Sequence, residues 1–176
     1  MPEKTVEKSP FLERVPELQN RKWGGMAIED GEALVNDLVR AGKPAVQALI
    51  DGLQEVDDGT DWKERLVIHQ LVTQCSAPKR VKERSMLAGV LIEAARSDRP
   101  ALVRTFLLQQ LRLFAEASVA PRLAPLLRDE NPRVLDAVTA AMVSMGEGVR
   151  KVLEDAMGEA EGHAKVVIRH ALNQMG

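Results

Sequence analysis

Residues 123–146 read LAPLLRDENPRVLDAVTAAMVSMG, and this stretch decides the fold. Its leucines are spaced for one face of a helix, and a polar turn follows them. Asn131 is of the type that caps a helix start, and apolar residues then recur every three or four positions from Val134 to Met145. Gly146 stands where a helix end and a tight turn belong. The stretch therefore predicts two helices joined by a short turn.

The second helix of this hairpin has counterparts along the chain. Counting from Glu64, Val103, Val134 and Ala164 as offset 0, apolar residues recur at offsets 4, 8 and 11 and a small residue follows at offset 12. These offsets trace one face of a helix with 3.6 residues per turn. The positions are Ile68, Val72, Cys75 and Ser76; Leu107, Leu111, Phe114 and Ala115; Val138, Met142, Met145 and Gly146; and Ile168, Leu172, Met175 and Gly176. A weaker copy starts at Asp30.

Shorter helices are predicted between these copies. They cover residues 44–56, 81–96, 119–128 and 147–157. Apolar residues make up 45% of the chain but aromatic residues only 3%, with no Tyr, a composition that favours helices over strands. The chain is thus expected to be all-α, with a first and a second helix alternating about four times after an opening half-repeat.

The run from Leu123 to Gly146 resembles a HEAT repeat of the type found in phycobilisome-lyase-like proteins, and 42–50 with 61–65 resembles the same unit. The resemblance covers roughly residues 30–176. It implies a right-handed α-α superhelix, so we expect a repeat domain at 28–176 after a capping or flexible segment at 1–27. The family also has an Arg near the start of each second helix, paired with an Asp in the preceding turn. Arg65 and Arg104 fit this pattern, Lys165 fits it in charge, and Leu135 departs from it.

In HEAT-like proteins the second helices line the concave face. The resemblance therefore implies that offsets 2, 5, 6 and 9 are exposed there, and their polar side chains would suit an extended peptide or a protein edge. The main hypothesis is a non-enzymatic scaffold for protein-protein interaction; a merely solvated face is the other interpretation of this surface. The candidate partner-binding residues are His69, Gln70, Thr73, Gln109, Arg112, Thr139, Arg169, His170 and Asn173.

The centre of the chain is basic. Residues 61–128 contain 12 Lys and Arg against 6 Asp and Glu, although the whole chain has a net charge of −2. The candidate anion-binding residues are Lys79, Arg80, Lys82 and Arg84. They predict binding of nucleic acid or phosphate as an alternative function, although few aromatic residues are present to stack on bases, and a solvated helix start would also explain the cluster.

The chain shows no pattern of an enzyme, a metal site or a cofactor site. His163 and His170 are seven residues apart on one helix, about 10 Å along its axis, which is too far to share a metal ion. An accessory domain of a larger enzyme is the remaining alternative. Cys75 is expected to be a buried core thiol, and Trp62 is expected to pack between helices.

The sequence also predicts the setting of the protein. The polar N-terminus, the single cysteine and the absence of a long apolar run favour a cytoplasmic protein without a membrane segment. We expect a monomer rather than an oligomer.

Overall fold

A computed structural model describes residues 8–17, 26–55 and 59–176. Within these ranges the chain forms α-helices and short 3-10 helices, with no strand. The chain divides into two compact units, Met1–Val90 and Leu91–Gly176. The prediction of an all-α chain of the α-α solenoid class is confirmed.

The first unit is built from α1 (Ile28–Ala41), α2 (Lys43–Asp51), α3 (Trp62–Cys75) and the start of α4 (Val81–Ala95), within which the division into units falls. Helices α1, α2 and α3 pack on one another. Gly42 alone joins α1 to α2, and its φ of 77° is a conformation that favours glycine. The fully buried side chains of this core include Leu34, Leu38, Leu49, Ile50 and Ile68.

A 3-10 helix, Pro10–Arg14, lies against α1 and α3 in the same unit. It buries Leu12, and Val15 just beyond it is buried as well. The Arg14 guanidinium donates to Asp37 Oδ2 at 2.8 Å and, with Arg40, holds the pKa of that carboxyl below its ordinary value. These contacts support a capping role, while the predicted boundary at residue 27 remains a prediction.

The second unit contains the end of α4, then α5 (Ala101–Leu111), α6 (Ala120–Leu123), α7 (Pro132–Ser144), α8 (Arg150–Glu159) and α9 (Gly162–Gln174). Helix α5 packs on α7, and α7 packs on α9. Within this unit, α5 and α7 therefore each lie beside the second helix of the following repeat, the neighbour-to-neighbour packing of a solenoid. The buried stripe at offsets 0, 4 and 8 is confirmed in α5 and α7, and Ile168 continues it in α9.

The first helices differ from their predicted bounds. The predicted helix at 119–128 is a short α6 followed by a 3-10 helix, Ala124–Arg128, because Pro125 lacks an N–H and crowds the preceding turn. A 3-10 turn, Glu147–Val149, precedes α8, which extends to Glu159. Helix α2 ends at Asp51, before the predicted end at residue 56, which lies outside the described ranges.

The predicted Arg–Asp pairing is present in two forms. Arg65 Nε lies 2.9 Å from both carboxylate oxygens of Asp61, in the turn before its own helix, as predicted. Arg104 instead forms an ion pair with Asp129, in the turn before the next second helix, and its Nε donates to Ala95 O at 2.9 Å. Leu135 is buried in the apolar core of the second unit, so the predicted break in the pattern is confirmed there.

Candidate functional site

In the second unit, α5, α7 and α9 run side by side in the same direction. Near their C-terminal ends, Ser144 Oγ lies 3.1 Å from Arg112 O. Near their N-terminal ends, His163 Nε2 lies 3.8 Å from Asp136 Oδ1. These two contacts align the helices, so residues at equal offsets form rows across them.

Three such rows, at offsets 2, 6 and 9, form an exposed surface that we call the second-helix surface. It consists of Thr105, Asp136 and Val166; Gln109, Ala140 and His170; and Arg112, Val143 and Asn173. Every one of these residues is exposed or half-buried. In the rows at offsets 6 and 9, the middle residues Ala140 and Val143 of α7 are small and apolar, and longer polar side chains of α5 and α9 flank them. Four of the predicted partner-binding residues are thus brought together: Gln109, Arg112, His170 and Asn173.

The prediction that offset 5 is exposed is wrong for two of the three helices. Thr139, a predicted partner-binding residue, is only 4% exposed, and its hydroxyl donates to Leu135 O at 2.7 Å. Leu108 is completely buried at the same offset. This side of α5 and α7 is covered by helix packing, whereas Arg169 at offset 5 of α9 is exposed. Thr139 therefore cannot contact a partner without repacking of the core.

The candidate residues of the first unit form a set of their own on α3. His69 and Thr73 are exposed and Gln70 is half-buried. The Thr73 hydroxyl donates to His69 O at 2.9 Å, a local bond along the helix. The predicted exposure of this face of α3 therefore agrees with the structure.

Charge is distributed unequally between the helices of the second unit. The first helices neutralise their own charges: Arg122 with Glu93, Arg128 with Glu159, Arg150 with Glu147 and Lys151 with Asp155. Hydrogen bonding to Arg150 also lowers the pKa of Glu147. On and beside the second helices, Arg112, Arg133, Lys165 and Arg169 are exposed and form no ion pair with any described residue. Asp136 is the only acid within α5, α7 and α9.

The predicted anion-binding residues are not equivalent. Arg80 Nη2 donates to Asn36 Oδ1 of α1 at 2.6 Å, and Arg84 Nη1 lies 3.4 Å from Ser76 O. Both arginines therefore serve contacts inside the first unit. Lys79 and Lys82 are exposed, and neither forms an ion pair with a residue that the structure describes.

Residues that could bind a metal ion are not clustered in the described part of the chain. No group of three His, Cys, Asp or Glu residues there could hold a metal ion. Cys75 is fully buried, as predicted, and burial raises the pKa of its thiol. Such a thiol is a poor nucleophile near neutral pH, because the thiolate is the reactive form.

A cavity of about 370 Å³ in the first unit was not predicted from the sequence. It lies between the 3-10 helix and the start of α3, and Trp62 forms part of its wall. Its other lining residues are Lys8, Ser9, Leu12, Glu13, Glu17, Thr60, Lys63 and Glu64. Glu64 occupies the first position of a core stripe, which is apolar in the other three copies, and this acidic side chain is the one sequence signal that distinguishes this copy.

Comparison with known families agrees with this architecture. Residues 88–173 match the family model for HEAT repeats. Residues 88–173 are therefore HEAT repeats; the phycobilisome-lyase-like type stays a prediction. Searches of curated proteins and of solved structures each returned no significant match.

The family match and the helices bear on the kind of protein this is. HEAT repeats are commonly scaffolds for protein-protein interaction. Among the described helices, none has both the length and the apolar character needed to cross a bilayer.

Proposed function

We propose that this protein is a non-enzymatic scaffold that binds a protein or peptide along its second helices. In the second unit the binding site is the second-helix surface. The observation that carries this proposal is the alignment of three exposed rows across α5, α7 and α9, with polar side chains around a small apolar centre. The protein acts as a monomer, and the cytoplasm remains its predicted location.

The shape of the surface suits a single extended chain. Ala140 and Val143 of α7 are short, so a partner backbone can approach this helix closely. Gln109 on one side and Asn173 on the other are exposed, and each amide can donate to a carbonyl and accept from an N–H. Packed helices are about 8–10 Å apart, which leaves room for one chain between the two flanking helices.

The charges favour an acidic partner segment. Arg112 and Arg133 lie within or beside the second-helix surface, and Lys165 and Arg169 extend the positive charge along α9. Asp136 is the single acid of these helices and lies next to His163. Each exposed ion pair contributes little to affinity, but several together speed association and select against basic partners. We therefore propose a partner peptide that contains Asp or Glu beside a small or aliphatic residue.

The experiment is affinity capture from the source cell's lysate at low and moderate salt, with purified protein as bait. Wild type and a control variant, Lys151→Ala with Glu154→Ala on α8, should capture the same protein stoichiometrically. Gln109→Ala with Asn173→Ala should weaken its binding by about tenfold or more, since each lost hydrogen bond typically costs about 0.5–1.5 kcal/mol. Circular dichroism checks that both variants are folded.

Two results contradict the proposal in different ways. Equal capture by both variants would place the binding site elsewhere on the protein. Failure to capture any protein at either salt concentration would count against a scaffold altogether.

Binding of nucleic acid or phosphate is the second candidate function. It is supported by Lys79 and Lys82, which are exposed beside the start of α4. Positive side chains are unfavourable at the positive end of a helix dipole, so this placement has a cost to stability. Charge reversal of both lysines should abolish binding that is released steeply by salt. Salt-insensitive binding that survives this change would eliminate the candidate.

A further inference from the structure

We propose that the cavity of the first unit binds an organic cation, an ammonium or guanidinium group, between Glu64 and Ser9. This site is independent of the second-helix surface. Both residues line the cavity, which has a volume of about 370 Å³. That volume lies at the small end of the range for ligand pockets, about 300–1,000 Å³.

The first observation is the buried hydroxyl of Ser9. The residue is only 5% exposed, and its Oγ has no hydrogen-bond partner. Ser9 precedes the 3-10 helix at the position where a serine side chain normally accepts a backbone N–H, yet it makes no such bond. Buried hydroxyls are almost always satisfied, so this oxygen is available to a group that enters the cavity.

The second observation is the buried carboxylate of Glu64. The residue is only 4% exposed, and it makes no ion pair or hydrogen bond with any residue in the described ranges. Its position in the first turn of α3 is favoured by the helix dipole. The Glu64 side chain lines the cavity, so its negative charge would attract a cation that enters there.

The remaining charged groups of the cavity do not supply that cation. Lys63 forms an ion pair with Glu17, and its ammonium also lies 5.5 Å from the centre of the Trp62 ring. Lys8 and Glu13 are exposed and have opposite charges. The buried charge of the cavity is therefore negative.

The neighbouring groups suit an ammonium or guanidinium. Both ligand types carry several N–H donors, which match the acceptors on Ser9 and Glu64. The half-buried ring of Trp62 adds an aromatic face of the kind that attracts cations. The cation could belong to a Lys or Arg side chain of a peptide or to a small amine, and the experiment separates these sources.

The test uses the full chain with Trp23→Phe, which leaves Trp62 as the only tryptophan. Trp62 fluorescence is followed during titration with n-butylammonium, with the tripeptide Gly-Lys-Gly and with the uncharged control 1-butanol. We expect saturable binding of at least one cation and none of 1-butanol. Binding of n-butylammonium alone identifies a small amine as the ligand class, and binding of the tripeptide alone identifies a peptide.

Three variants make the test specific. Glu64→Gln should weaken binding by about tenfold or more, and Ser9→Ala by several-fold. Glu32→Gln, at an exposed residue of α1 outside the cavity, serves as the matched control. Without ligand, Glu64→Gln should also raise the melting temperature, because it removes a charge that is only 4% exposed and pairs with no described residue, while it keeps the shape of the side chain. If Glu64 merely stabilises the start of α3, this variant melts at a lower temperature and retains any cation binding. That result, or no saturable binding of either cation, would overturn the proposal.

Discussion

Removing the Arg104 side chain tests whether neighbouring repeats are linked as the structure indicates. The guanidinium donates to Ala95 O and forms an ion pair with Asp129, whose other carboxylate oxygen accepts from the Asn131 backbone N–H at 3.0 Å. The side chains of the pair are only 15% and 13% exposed. Arg104→Ala therefore removes two charge-assisted bonds and leaves a mostly buried carboxylate without its cation.

The expected loss follows from these contacts. Breaking a buried ion pair by removing one partner costs about 3–5 kcal/mol, and each hydrogen bond to a charged group contributes about 1.5–3 kcal/mol. Because both side chains keep some contact with water, we expect a loss of about 2–4 kcal/mol in the free energy of unfolding. Arg112→Ala is the matched control, since Arg112 is exposed and makes no ion pair with a described residue. Its effect should stay within about 0.5 kcal/mol.

The assay is urea unfolding followed by far-UV circular dichroism. Tryptophan fluorescence is unsuitable, because the only tryptophans, residues 23 and 62, both precede the second unit in the sequence. A double-mutant cycle with Asp129→Ala should give a coupling energy of at least about 1 kcal/mol between Arg104 and Asp129. A loss below about 1 kcal/mol for Arg104→Ala, or additive effects in the cycle, would refute the link.

Two further outcomes concern the core. Leu111 is fully buried, so Leu111→Ala should lower the free energy of unfolding by about 2–5 kcal/mol. Leu113 is 55% exposed, so the control Leu113→Ala should change it by less than about 0.5 kcal/mol. Similar losses for the two variants in urea melts would contradict the packing of α5. Burial raises the pKa of the Cys75 thiol, so a thiol reagent at neutral pH should modify Cys75 only after unfolding. If the native protein is labelled as fast as the unfolded chain, the burial of Cys75 is disproved. As the pH rises, the unfolded chain loses the thiol proton at a lower pH than the folded protein does. The free energy of unfolding should therefore fall above the ordinary thiol pKa of 9.0, by at most about 1.4 kcal/mol per pH unit.

The periodic part of the fold could be predicted from the sequence. Ile68, Leu107 and Val138 occupy the same offset in three helices, and all three are fully buried. The spacing of apolar residues within one helix defines which face it must bury, whatever that face packs against. The four-fold repetition of one spacing then indicates stacked helix pairs.

The candidate site was only partly predictable. Thr139 and Arg169 share offset 5, but the first is buried and the second is exposed. A short polar side chain such as that of threonine is compatible with either environment, because its hydroxyl can bond to its own helix. Whether that side of the helix is covered depends on the neighbouring helix and not on the local sequence.

By itself the sequence determined the helical class, the buried stripes, the core position of Cys75 and the break at Leu135. Tertiary structure decided which carboxylate pairs with Arg104, which polar residues share the second-helix surface, and how Ser9 comes to line the same cavity as Glu64. The physical reason is the range of the interactions. Apolar periodicity is a property of consecutive residues, whereas a polar group finds its partner through contacts between segments that are far apart in the chain.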